Sequence, residues 1–105
     1  MPVQLCTIFN YSHTQLSVAN TETGASWTVA PGQRAVGNFD RMPWDTHGVL
    51  RISAANGQSW DAVDRDWWIV LKIPGHGESQ AAKIPNNWAH FNLDFFDGGP
   101  TFTFI

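Results

Sequence analysis

Turn-forming residues interrupt this chain so often that a long helix has no room in it. Breakers stand at Asn20, Gly24, Pro31-Gly32, Gly37-Asn38, Pro43, Gly48, Asn56-Gly57, Pro74-Gly75, Gly77, Pro85-Asn86-Asn87 and Gly98-Gly99-Pro100. The runs between them are roughly five to nine residues long, which is strand length. No longer segment keeps a helical apolar period free of a breaker. The runs alternate with period two instead. Phe91, Leu93 and Phe95 share one face of HFNLDFF, and Asn92 and Asp94 share the other. Phe102 and Phe104 alternate with Thr101 and Thr103, and Trp27 pairs with Val29. In VQLCTIF, Val3, Leu5 and Phe9 fall on one face. Trp67, Ile69, Leu71 and Ile73 form one face of a central strand whose other face carries Trp68 and Val70.

These patterns predict one domain spanning residues 1–105, an all-β antiparallel sandwich of about nine or ten short strands. Asn56-Gly57 predicts a type I′ hairpin, because both residues tolerate positive φ. Gly98-Gly99 predicts a second hairpin. The expected core is Leu5, Phe9, Leu16, Val18, Trp27, Val29, Leu50, Ile52, Trp67, Ile69, Leu71, Phe91, Leu93, Phe95, Phe102 and Phe104. The terminal strand PTFTFI is expected inside the core, although at a sheet edge it could pair with a second copy.

Composition excludes several classes. The 105 residues carry a net charge of −3, and their six Lys and Arg residues are scattered. No basic stripe exists to neutralise a run of phosphates, which argues against nucleic-acid binding. Cys6 is the only cysteine, so no intrachain disulfide can form. MPVQLCTIFNYS lacks the features of a signal peptide, so the expectation is cytoplasmic accumulation or release without a classical signal. No apolar run is long enough for a transmembrane helix.

Catalytic signatures are weak. GASWT and GQSWD lack the second glycine of a nucleophile elbow. Cys6 reads as a small buried or half-buried thiol, and GHGES as a flexible strand connection without the lysine of a phosphate loop. His13, His47, His76 and His90 share no ligand spacing, so no metal is expected at them. Asp40, Asp45, Asp61, Asp64, Asp66, Asp94 and Asp97 fall at strand ends or in loops, with Asp64-Arg65-Asp66 connecting two strands. Loop carboxylates of this kind could hold calcium, though no D-x-D-x-D-G loop is present. Solvated loop charges are the simpler reading, and no cofactor is required. The chain is not expected to be an enzyme.

The six tryptophans carry the functional signal. Trp27, Trp60 and Trp67 fall on core faces. Trp44, in RMPWDTHG, and Trp88, in IPNNWAH, fall in polar loops. An indole in such a loop offers a flat apolar face and one N–H donor. Sugars need that combination, with carboxylates and amides nearby for their hydroxyls. The candidate ligand-binding set is therefore Trp44, Asp45, His47, Asp64, Arg65, Trp68, Asn86, Asn87 and Trp88.

The middle of the chain strengthens this expectation. Gly24-Ala25-Ser26-Trp27-Thr28 is followed by Thr46-His47-Gly48-Val49-Leu50-Arg51-Ile52, by Asn56-Gly57-Gln58-Ser59-Trp60, then by Val63 and Trp68-Ile69-Val70. Over residues 24–71 this order resembles the fungal fruit body lectins and the actinoporin-like β-sandwich proteins. The resemblance implies sugar binding without catalysis, or attachment to membranes through an aromatic cluster. The leading expectation is a non-catalytic, lectin-like protein that binds glycans or glycoconjugates. The alternatives are a membrane-binding or cytolytic sandwich and a self-assembling, homo-oligomeric or partner-binding module.

Overall fold

The computed structural model describes residues 3–36 and 40–105, and the Gly37-Asn38 turn signal lies outside the described residues. The described residues form ten strands and no helix. These are β1 (Val3–Asn10), β2 (Leu16–Asn20), β3 (Ser26–Val29), β4 (Arg34–Val36), β5 (Leu50–Ala54), β6 (Ser59–Arg65), β7 (Trp68–Ile73), β8 (Gly77–Lys83), β9 (Ala89–Phe96) and β10 (Gly99–Phe104). They build a four-stranded sheet, β10-β9-β1-β4, and a six-stranded sheet, β3-β2-β5-β6-β7-β8. All pairings are antiparallel except β1 with β9, which run parallel. That pairing joins the start of the chain to its last third.

One cluster of buried residues links the sheets. β9 contributes Ala89, Phe91, Leu93 and Phe95 in strict alternation. Leu16, Val18, Leu50, Ile52, Trp60 and Ile69 meet them from the larger sheet. Each fully buried Leu, Ile or Phe contributes roughly 1.5–3 kcal/mol relative to exposure. Trp60 packs edge-on against Phe95, with ring centroids 5.4 Å apart.

Four local expectations are corrected. Phe9 is not a core residue: the β1–β9 register shifts between Leu5 and Thr7, so the inward parity passes to Ile8 and Asn10. Phe9 instead stacks on Tyr11. Trp67 is not the first core residue of β7: β6 continues through Arg65, and the connection shrinks to Asp66-Trp67. Asp64 lies in β6, one residue from its end, with Asp61 further in, and Asp94 lies in β9. The Asn56-Gly57 hairpin is not type I′: only Gly57 of the pair has positive φ, 95°. Gly57 N–H bonds Ala54 O and Ala54 N–H bonds Gln58 O, which gives a three-residue loop. Finally, β10 is an edge strand, although Phe102 is buried and Phe104 packs on the core.

Strand directions sort the connections by end. Residues 21–25, 40–49, 66–67 and 84–88 emerge at one end of the sandwich, together with Ile105. The connections β1–β2, β3–β4, β5–β6, β7–β8 and β9–β10 emerge at the other.

Candidate functional site

The segment carrying Trp44 is held from several sides. Met42 is buried in the core, and its N–H donates to Val3 O at 2.9 Å. Asn20 Nδ2 donates to Arg41 O at 3.1 Å. Asp64 N–H donates to Pro43 O at 2.9 Å, and Trp44 bridges Asp64 in parallel, continuing the sheet where β5 has not yet begun. His47 N–H closes a turn onto Trp44 O, and its ring stacks on the indole with centroids 5.4 Å apart. Val49 and Thr21 then exchange hydrogen bonds. Gly48 has φ 154°, and a Cβ there would stand 2.9 Å from Thr21 Oγ1, so the close approach requires glycine. These contacts hold Trp44 in place before any ligand arrives.

The facing wall is the β6–β7 turn. Asp66 and Trp67 both have positive φ, 51° and 66°. A two-residue hairpin with both residues left-handed is a type I′ turn, normally filled by Asn-Gly. A bulky residue in that region costs about 1–2 kcal/mol. Strain of this kind concentrates at binding and catalytic sites. The turn holds Trp67 40% exposed, and Ile84 N–H fixes its carbonyl at 2.8 Å.

Between these walls lies a cleft of about 350 Å³ lined by Trp44, Asp45, Thr46, Asp64, Arg65, Asp66 and Trp67. Asp64 falls on the inward parity of β6, opposite Ile69, one pair before the turn. It is 5% exposed, and its Oδ2 has no hydrogen-bond partner among the described residues. Burial pushes its carboxyl up to about 6; the Arg41 guanidinium offsets part of the rise and the Asp45 carboxylate adds to it. Arg65 lies next in the chain, on the opposite parity. Its Nε donates to Asp45 at 2.5 Å, and both terminal nitrogens donate to Glu78. These bonds raise Arg65 and hold Glu78 below the usual carboxylate range. The guanidinium is thus fixed and neutralised in place.

Of the residues expected from sequence, Trp44, Asp45, Asp64 and Arg65 come together in the cleft. His47 stacks behind Trp44 and does not line it. Trp68 pairs with Arg65 across the hairpin and carries Lys83 Nζ 6.0 Å from its ring centroid. Asn86, Asn87 and Trp88 lie outside the cleft at the same end, with Trp88 72% exposed. Thr46, Asp66, Trp67 and the outlying Glu78 were not expected. Only the crowding of charge and indole in DRDWW signalled the turn. Among the described residues, no group of three or more His, Cys, Asp or Glu side chains stands where it could hold a metal.

No protein-family model, curated protein or solved structure matches this chain.

Proposed function

We propose that this protein binds carbohydrate without turning it over, through the Trp44/Trp67 cleft. The observation that carries this reading is Asp64: a buried carboxyl with an unpartnered oxygen, in a cleft flanked by two half-exposed indoles. A buried acceptor left unpaired is unfavourable until a donor reaches it. Sugar hydroxyls are such donors, and indole faces suit the C–H face of a pyranose. The cleft volume suits a small ligand or one or two residues of a longer glycan. The order of motifs over residues 24–71, which resembles that of the fruit body lectins, is consistent with this reading.

The test is a glycan array with calcium and with chelator, followed by titration of the best hit. Selective binding that Trp67→Asn abolishes, with the melting transition retained, supports the reading. An empty array at high protein concentration sinks it. New reducing ends in the recovered glycan would make the protein a hydrolase instead.

A second reading rests on Trp88 and Ile105, which are 72% and 78% exposed at the same end as Trp67. Indoles favour membrane interfaces. Co-sedimentation with lipid vesicles and a blue shift of tryptophan emission, both lost in Trp88→Ser, would support docking of this end to a lipid surface.

A further inference from the structure

We infer that the cleft selects saccharides bearing a free, protonated amino group, with the ammonium seated against Asp64 beside Trp67. The inference rests on the carbohydrate reading and narrows it to a ligand class.

The lining residues hold three carboxylates, Asp45, Asp64 and Asp66, and one guanidinium, Arg65. Arg65 is not free to receive an anion, because its Nε is taken by Asp45 and its terminal nitrogens by Glu78. That pairing also engages one oxygen of Asp45. Asp64 is left with a buried oxygen that no donor among the described residues reaches. A hydroxyl would satisfy this oxygen with an ordinary hydrogen bond. An ammonium would satisfy it with a charge-assisted bond, about twice as strong. It would also bring a positive charge into direct contact with the buried carboxylate, which Arg41 only approaches at longer range.

The aromatic walls favour the same ligand. An indole face attracts cations through its quadrupole. This end of the molecule already uses that attraction: Arg41 lies 5.6 Å from the centroid of the Trp44 ring, outside the cleft lining. An N-acetyl group in place of the amine would remove the charge and bring a carbonyl oxygen toward carboxylates. An acidic sugar would meet like charge. The lining thus disfavours the commoner alternatives as well as favouring the amine.

The experiment is calorimetric titration near neutral pH with three trisaccharides of one linkage: the glucosamine trimer, its N-acetylated form and the neutral glucose trimer. The amine form should bind about tenfold tighter or more than either other form. Asp64→Asn should erase that preference while residual sugar binding persists. Asp66→Asn, at an exposed turn position that Asn also tolerates, should reduce it and keeps the test open if Asp64→Asn fails to fold. Equal binding of the three trimers overturns the inference and leaves the carbohydrate reading standing. A preference that survives both substitutions also overturns it. Binding of none of the three overturns it too, and the array then decides the carbohydrate reading by itself.

Discussion

The two ends of the sandwich each hold a cavity, and they are built differently. The cavity away from Trp67 is the larger, about 590 Å³, and is lined by Gly57, Gln58, Ser59, Trp60, Ile73, Pro74, His76 and Gly98. Its end meets every need for positive φ with glycine: Gly32, Gly57, Gly75, Gly77 and Gly99. The smaller cleft sits at the end where Asp66, Trp67 and Trp88 take positive φ. Among the described residues these are the only non-glycine residues that do so. The same end holds Asp64, buried with an unpartnered oxygen. Size alone would favour the glycine end. Conformational strain and an unsatisfied buried acceptor both favour the other, since such strain clusters at binding sites and an unpaired acceptor is unfavourable until a donor reaches it.

The largest effect that would break this comparison is on binding. Trp67→Asn keeps a residue that tolerates left-handed backbone and removes the indole. It should weaken glycan binding by about 2–4 kcal/mol, as removal of a central aromatic anchor does. His76→Ala, in the opposite cavity, should change it by less than about 0.5 kcal/mol. Titration of both variants with the same glycan checks the pair. A larger loss in His76→Ala would mean that the site lies at the glycine end.

The next effect is on stability. The Asp64 carboxyl rises from 3.8 to about 6 through burial. That corresponds to about 3 kcal/mol at most. Between those values the folded state binds more protons than the unfolded state, so this residue makes stability fall as pH rises. Asp64→Asn should therefore be more stable than the parent above about pH 6. The advantage should shrink as pH falls toward 3.8 and vanish below it. Glu78 and Asp97 act in the opposite sense, since their carboxyls are lowered by Arg65 and by His13. Both are present in parent and variant, so the difference between two urea-denaturation series isolates Asp64. A difference that does not vary with pH would mean that the carboxyl is satisfied in solution.

The sandwich was legible because alternation and turn residues act locally. β9 alternates through all eight residues as HFNLDFF predicts, and the Gly98-Gly99 hairpin forms. What failed was parity across an irregularity. One unpaired residue in β1 moves Phe9 outward and Ile8 inward, and nothing in VQLCTIF marks the shift. At DRDWW the hairpin shortens by one residue more than the polar run suggests, so Trp67 leaves the core pattern and enters the site. Half the site was legible for a related reason. Trp44 and Asp45 stand out as an indole and a carboxylate in a polar loop. Asp64 belongs to the expected set as a loop charge beside indoles, whereas it lies in β6 and its strand parity turns it inward opposite Ile69. Placing it required the register of the β6–β7 hairpin, which depends on where the two-residue turn falls within DRDWW.

The smallest effect tests whether the difference in backbone chemistry between the ends is a real energetic asymmetry. Trp88 is largely exposed and has φ 62°, so Trp88→Gly removes left-handed strain while giving up little packing. Relief of about 1–2 kcal/mol is offset by up to about 1 kcal/mol of added unfolded-chain entropy, which leaves a net gain of about 0.5 kcal/mol. Gly57→Ala makes the reverse change at the other end. Its φ is 95°, and nothing lies within 4 Å of the added Cβ, so the loss of about 1 kcal/mol comes from the backbone alone. Paired denaturation curves should therefore shift in opposite directions. If both variants are destabilised equally, the left-handed tryptophan is not strained, and the case for this end rests on Asp64. If Trp88→Gly is stabilised while binding is unchanged, the strain at Trp88 serves something other than the cleft, and the lipid surface becomes the partner to test at that residue.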